Sequence, residues 1–244
     1  MVTMNFTILF NSRDRVGILQ QMLRSIADTA NDIDSIETLV NFDDDDHSSL
    51  NAIPILEMEF PFLKPRVNER EVNIHTNVNK MAFDAAGKYI WGLGDDCHII
   101  TKHWDKIAEE KFEEFFADKG DRIAIGAVDS TSVDKSQDHD WYTDAPIVTK
   151  EGRDALGYMI HPHFISLGAD VATNIVYASV DRIINMREIV FDHVTHNTVE
   201  KVINPDKTAF EYRQRQYSLQ TTDPWEYNYS EDFALIKSKV GNAS

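Results

Sequence analysis

Two short acidic clusters carry the chemistry that can be read first. Asp43-Asp44-Asp45-Asp46 follows the apolar run Ile36 to Phe42, and Asp95-Asp96 follows Tyr89 to Gly94. Both runs have the length and composition of buried strands, so both clusters are expected at strand ends. In an open α/β sheet the carboxyl ends of the strands line the ligand crevice. Carboxylates crowded there repel and raise one another's pKa. A divalent cation removes that penalty, and oxygen ligands suit Mg²⁺ or Mn²⁺. A cation so held can in turn hold phosphate. A calcium loop is a weaker alternative for Asp43 to Asp46, because the spacing matches no such loop.

Four further groups are candidates. Arg13 and Arg15 stand in the polar stretch Asn11-Ser12-Arg13-Asp14-Arg15, just before a predicted helix. Backbone amides at a helix start favour phosphate, and an arginine adds a charge-assisted contact. The same two arginines could instead form ion pairs with Asp14 or the acidic run. His193 and His196 lie three apart after a predicted strand, and imidazole is a common ligand for Mn²⁺-like ions. His161 and His163 flank Pro162 and could line an acceptor site or, with the later histidines, hold zinc. Cys97, the only cysteine, directly follows Asp96 and reads as core filler near a site.

The elements that must position these groups alternate between strand and helix. Phe6 to Phe10 reads as a buried strand, followed by a helix with Leu19, Met22, Leu23, Ile26 and Ala27 on one face. Ile36 to Phe42 is a second strand, which completes a β-loop-α-β unit with parallel strands expected. Pro54, Pro61 and Pro65 are expected to break any long element between 47 and 70. A helix over 73–86, stopped by Gly87, leads into a strand over 88–93. A helix over 103–117 carries Trp104, Ile107, Ala108, Phe112, Phe115 and Phe116 on one stripe. Strands follow at 122–128, 145–148 and 187–191, with a surface loop over 129–144 and helices at 163–180, 207–217 and 231–239. The alternation predicts one α/β domain.

The order of these segments resembles a GT-A-fold, family-2-like glycosyltransferase. The likeness rests on the first strand, the Asn-Ser-Arg-Asp-Arg loop, the helix, and a second strand ending in acids. It continues through "Ala-Gly-Lys-Tyr-Ile-Trp-Gly-Leu-Gly-Asp-Asp" at 86–96, "Trp-Asp-Lys-Ile" at 104–107, "Asp-Ala-Leu-Gly-Tyr-Met-Ile-His-Pro-His-Phe" at 154–164 and "Phe-Asp-His-Val-Thr-His" at 191–196. It covers about residues 4 to 200, and Lys88 departs from the acidic residue usual there. The resemblance implies a central, mostly parallel mixed sheet flanked by helices. It places residues 1–204 in the GT-A domain and leaves 205–244 as a C-terminal helical extension packed on it. It implies that Asp96 ligates Mn²⁺ or Mg²⁺, with Asp95 near the ribose or a metal-bound water, and that His193 completes the metal or diphosphate site. Asn11, Ser12, Arg13 and Arg15 would belong to the nucleotide loop. Asp43 and Asp44 align with the base-reading position, where a carboxylate accepts the uracil N3–H. Asp170 occupies the place of the general base of inverting enzymes.

Composition narrows the partners. The 244 residues carry a formal net charge of −17, which argues against a general nucleic-acid or anionic-membrane partner. No apolar run approaches a bilayer span, the start lacks a signal-peptide pattern, and a cytosolic location is expected. The reading is therefore a metal-dependent enzyme that moves a sugar from a UDP-sugar to a hydroxyl acceptor. A sugar nucleotidyltransferase and an inactive GT-A-like binding protein are the alternatives. The aromatics Trp225, Tyr227 and Tyr229 could stack on an acceptor sugar or brace the C-terminus.

Overall fold

A computed structural model describes residues 4–131, 142–165, 168–193 and 222–241. The chain begins with strand β1 (Phe6–Ser12), helix α1 (Val16–Thr29) and strand β2 (Ile36–Asp43). Helix α2 (His47–Glu59), strand β3 (Leu63–Asn68), helix α3 (Ile74–Asp84) and strand β4 (Tyr89–Gly92) come next. Then follow β5 (Cys97–Ile99), α4 (Trp104–Phe116), β6 (Ile125–Ser130), β7 (Ile147–Thr149) and α5 (Lys150–Leu156). Helix α6 (Ala169–Ala178), strand β8 (Ile183–His193) and helix α7 (Ser230–Lys239) complete the order.

The strands form one eight-stranded mixed sheet in the order β3-β2-β1-β4-β7-β6-β8-β5. The half β3-β2-β1-β4 is parallel throughout. Its carboxyl ends therefore lie along one edge, where the loops after β1, β2 and β4 meet. Side chains alternate across this half-sheet as the pleat requires. Phe6, Ile8 and Phe10 of β1 enter one core with α1 and α4, whereas Leu9 enters a second core with α3 and α6. The sheet is thus the middle of three layers. On the first face Trp104 packs 5.1 Å from both Phe6 and Trp91, and Tyr89 stacks on Phe112 at 4.4 Å. Helix α7 packs against α5 and α6 on the second face.

Several expectations change. Pro54 does not break the chain: it lies inside α2. Asp46 caps that helix by accepting from the Ser49 amide at 3.2 Å, and only Ser49 and Leu56 are buried on it. Leu50, Ala52 and Ile53 are partly buried against the core while Ile55 and Met58 are exposed, so apolar residues run round the helix without a stripe, which is why the sequence conceals it. Pro65 is tolerated in β3 because β3 is an edge strand. Asn11 and Ser12 are not loop residues but the end of β1. Gly87 does not terminate α3, which stops at Asp84. A Cβ at Gly87 would meet the Phe6 carbonyl carbon and the Thr7 nitrogen at 2.6 Å, so glycine is there for backbone approach. Nearby, buried Glu37 accepts from Thr7 Oγ1 at 2.7 Å and from the Ala86 amide at 2.6 Å.

Asp129 and Ser130 extend β6 rather than opening a loop, and β8 is longer than the strand expected at 187–191. Helix α6 occupies only the later part of 163–180. Besides α2 and β3, two further elements escaped the sequence reading. Strand β5 is three residues long, and α5 is a seven-residue helix capped by Thr149 and closed by left-handed Gly157. The helix expected at 207–217 lies outside the described residues.

Candidate active site

The edge formed by the ends of β2, β1 and β4 carries acids, arginines and acids in that spatial order. The loop after β1 reaches both ways. Arg13 pairs with Asp43 at 3.1 Å and with Asp45 on the β2 side. Arg15 pairs with Asp96 at 3.2 Å and with Asp95 on the β4 side. Burial works against the Arg15 charge, but the two aspartates outweigh it and raise its pKa. Each arginine therefore joins a different cluster, which the sequence left open.

The acids are not equivalent. Asp95 is fully buried, accepts from Ser12 Oγ at 2.8 Å, and is held by Arg15. Burial pushes its carboxyl up to about 6, with Arg15 opposing and Asp96 reinforcing. It fastens the β4 turn to the β1 loop. Asp96 has one oxygen on Arg15 and its other, Oδ1, 3.2 Å from His193 Nε2. A Cβ on Gly94 would meet that Oδ1 at 2.4 Å, so the glycine makes room for the carboxylate to fold back. Among the described residues Asp96, Cys97 and His193 form a group able to hold a metal ion, with ligand atoms within 4.8 Å of one another. Burial, then the Asp96 charge, raises the Cys97 thiol pKa.

The run Asp43 to Asp46 divides as well. Burial raises the Asp43 pKa against the pull of Arg13, and the bond from Arg13 lowers that of exposed Asp45. Asp46 is structural: besides capping α2 it accepts from the Asp14 amide at 2.8 Å. Asp44 is exposed, and its amide donates to the Asn68 carbonyl. Beside Asp43, Asn11 and Asn41 are cross-strand neighbours. Asn11 donates to the Ile74 carbonyl at 2.8 Å, and Asn41 accepts from Asn68 at 2.6 Å. Among the described residues, Asn11 Oδ1 and Asn41 Nδ2 are buried without a hydrogen-bond partner. Asn41 was missed by the sequence reading; its place at the end of β2, level with Asn11, was the available signal.

A third carboxylate region lies at the start of α6. Asp170, in its first turn, accepts from Tyr142 Oη at 2.5 Å. The segment before β7 is tied to α6 by Asn174, which donates to the Thr143 carbonyl at 2.8 Å and accepts from its amide at 3.2 Å. Between them sits Asp144, whose Oδ1 is buried without a partner among the described residues. Burial, then the Asp170 charge, pushes its carboxyl up to about 6, while His193 pulls it down. Asp144 and Tyr142 thus join Asp170 to the His193 side of the crevice. Neither was singled out from sequence, where both fall in a stretch without periodicity.

Other candidates go elsewhere. His161 is buried against α7, with Nε2 3.4 Å from Asp232 and its amide donating to Thr173 Oγ1. Burial lowers its pKa. His163 lies 3.3 Å from Thr222 Oγ1. Their bonding partners are these, not Asp96 or His193, so the zinc alternative loses its geometry among the described residues. A groove of about 450 Å³ passes them, lined also by Tyr158, Pro162, Tyr227 and Asp232. Tyr227 and buried Tyr229 brace this corner, whereas Trp225 is exposed. His196 lies outside the described residues. Asp105, of the family-like "Trp-Asp" pair, is a buried clamp that accepts from the amides of Asn31 and Asp32 at 2.7 and 2.9 Å.

No model of a known protein family matches the chain, and no curated protein sequence does. Solved structures do match in shape. S. aureus TarS aligns with a TM-score of 0.61 at 14% identity, over 89% of this chain and 44% of that one. The mannosyltransferase PcManGT from Pyrobaculum calidifontis, in complex with GDP-Man and Mn²⁺, aligns at 0.59 and 12%, over 95% and 68%. GalNAc-T7 with UDP, GalNAc and Mn²⁺ aligns at 0.62 and 11%, over 97% and 54%. The fold is that of a GT-A glycosyltransferase. At these identities the GT-A likeness is one of fold. The chain spans about half the length of TarS and of GalNAc-T7. Among the described residues, no helix is long and apolar enough to cross a membrane.

Proposed function

We infer that this chain is a metal-dependent, inverting glycosyltransferase that takes a UDP-sugar donor and a hydroxyl acceptor. One observation carries the reading: Asp96 Oδ1 and His193 Nε2 meet at 3.2 Å beside Arg15, at the edge where parallel strands end. The donor set fits a divalent cation, because a carboxylate and an imidazole converge there. Asp96 and His193 would hold Mn²⁺ or Mg²⁺, and a bound ion would supply Lewis-acid stabilisation of the departing diphosphate. Structural neighbours in complex with UDP, UDP-GlcNAc, or GDP-Man and Mn²⁺ support the ligand class.

The chain's own groups take the remaining roles. Asn11, Ser12 and Arg13 surround the nucleoside end, with Asp43 and Asp44 on the base side. The orphaned Asn11 and Asn41 amide atoms beside Asp43 suit a base with donors and acceptors on one edge, as uracil has. Asp95 anchors the turn near the ribose. Arg15 is placed to neutralise charge on the diphosphate once it leaves Asp96. Asp170 takes the proton of the acceptor hydroxyl as that oxygen bonds to the anomeric carbon and the carbon–phosphate-oxygen bond breaks. The Tyr142 hydroxyl, 2.5 Å from Asp170, occupies the position such a hydroxyl would take. Residues 1–204 would form the transferase domain and 205–244 its brace, with His161 and His163 outside the chemistry. A cytosolic setting suits a chain with one cysteine.

Calorimetry with UDP and GDP, each with Mn²⁺ and with EDTA, tests the proposal. UDP should bind in the presence of Mn²⁺ and lose most of its affinity on chelation. Equal binding of UDP and GDP, indifferent to EDTA, would remove both the base preference and the metal.

A further inference from the structure

The geometry points to Cys97 as a third protein ligand of the cation, beside Asp96 and His193, making an O,S,N site that prefers borderline transition ions to Mg²⁺. This rests on the metal-dependent reading above and adds to it the choice of ion.

Three observations converge. Cys97 and His193 are direct partners in the antiparallel β5–β8 ladder, so their side chains leave the same face of the sheet as neighbours. Asp96 precedes Cys97 and folds back over Gly94, where a Cβ would stand 2.4 Å from Asp96 Oδ1 and 3.5 Å from Cys97 Sγ. The three ligand atoms already lie within 4.8 Å of one another. Ligands bonded at about 2.0–2.3 Å can stand up to roughly 4.5 Å apart on one ion, so small side-chain rotations close the set. Burial of Asp96 and Cys97 would shield the ion from water.

The ligand set decides the ion. Thiolate and imidazole favour Zn²⁺ and its neighbours, whereas Mg²⁺ takes oxygen ligands and gives up its waters reluctantly. As the sulfur–metal bond forms, the thiol proton passes to the buffer. Three protein ligands leave further positions for diphosphate oxygens.

The test titrates Co²⁺ into the full chain with UDP, followed by absorption and by calorimetry. A thiolate-to-cobalt charge-transfer band should grow in step with binding. Because Cys97 is the only cysteine, the band has one possible source. Cys97→Ser, with circular dichroism to confirm its fold, should abolish the band while Co²⁺ still binds roughly tenfold or more weakly. It should also narrow the preference for Co²⁺ over Mg²⁺. Stoichiometric Co²⁺ binding to the native chain without the band overturns the Cys97 assignment and leaves the metal site standing. Failure of Co²⁺ and Mn²⁺ to bind at all overturns the metal-dependent reading, and Cys97 with it. The native spectrum decides the matter even if both Cys97→Ser and Cys97→Ala fail to fold.

Discussion

Gly94→Ala should disable the cation site while leaving the fold in place. Gly94 has no positive φ, so alanine can adopt its backbone conformation. The obstacle is local: the new methyl would stand 2.4 Å from Asp96 Oδ1 and 3.5 Å from its Cγ. Restoring an ordinary contact requires the oxygen to retreat by about 1 Å. That movement breaks the 3.2 Å approach to His193 Nε2. A hydrogen bond to a charged group is worth about 1.5–3 kcal/mol, and a lost metal ligand is at least comparable. At 1.4 kcal/mol per factor of ten, Mn²⁺-UDP affinity should fall by about 10- to 100-fold. Reduced freedom of the unfolded chain returns about 0.4–1 kcal/mol, so the ion-free protein should lose about 0.5–2.5 kcal/mol of stability and still fold. Calorimetry of Mn²⁺-UDP binding and a denaturant titration read the two effects separately. Gly17→Ala is the control, because nothing lies within 4 Å of a Cβ there. A folded Gly94→Ala protein with native Mn²⁺-UDP affinity would refute the placement of Asp96 at the ion.

Three further outcomes are expected. Asp170→Asn should keep UDP binding and lose about 10²- to 10⁴-fold in transfer rate, as removal of a general base does, whereas Tyr142→Phe should stay within a few-fold; native transfer by Asp170→Asn in a single-turnover assay would exclude the base. Asp144, with its carboxyl raised to about 6 in the fold, binds its proton more tightly there than when unfolded, so its contribution is full below the unfolded value of 3.8 and is lost as pH rises through about 6. Between pH 7 and pH 5 the ion-free protein should therefore gain about 1 kcal/mol relative to Asp144→Asn, and parallel pH profiles in urea titrations would count against this. Asp105→Ala removes the acceptor of two backbone amides and should lower stability by about 3 kcal/mol, with UDP affinity unchanged because α4 begins at the edge opposite the crevice. A loss of UDP affinity without a loss of stability would contradict that placement.

The parallel half of the sheet was legible because its strands are short apolar runs punctuated by acids and glycines. Phe6 to Phe10, Ile36 to Phe42 and Tyr89 to Gly92 stand in the observed β1, β2 and β4. Their parallel pairing aligns their carboxyl ends, so the placing of two acidic clusters along one edge followed from topology alone. Helix α2 was hidden because its exposed face carries Ile55 and Met58, which blur the period that burial normally imposes. Strand β5 was hidden by its length: three residues form a strand only because β8 supplies the ladder. The pairing of Cys97 with His193 is a fact of that ladder, invisible to any local pattern. Asp144 and Tyr142 were invisible for the same reason. Tyr142 bonds to Asp170 and its carbonyl accepts from Arg187 at 2.9 Å, while the intervening Thr143 is held by Asn174, all of them distant in sequence.

The acid–arginine–acid order at the crevice explains how a chain of charge −17 can keep carboxylates at one edge without a bound ion. Arg13 and Arg15 stand two residues apart on one loop, yet each turns to a different strand end. Unpaired, buried Asp95 and Asp96 would raise each other's pKa until one stayed protonated. Arg15 lies across both and offsets part of that repulsion, while the Ser12 hydroxyl satisfies the deeper carboxylate. A cation arriving at Asp96 takes over the same task. The Arg15 charge is then redundant on the acids and free to meet an anion. A diphosphate brought with the cation supplies that anion, so metal and nucleotide should each strengthen the binding of the other. Arg15→Gln should therefore weaken this mutual effect, measured as the ratio of UDP affinities with and without Mn²⁺, more than it weakens Mn²⁺ binding alone. An unchanged ratio would show that Arg15 serves only to hold the two loops together.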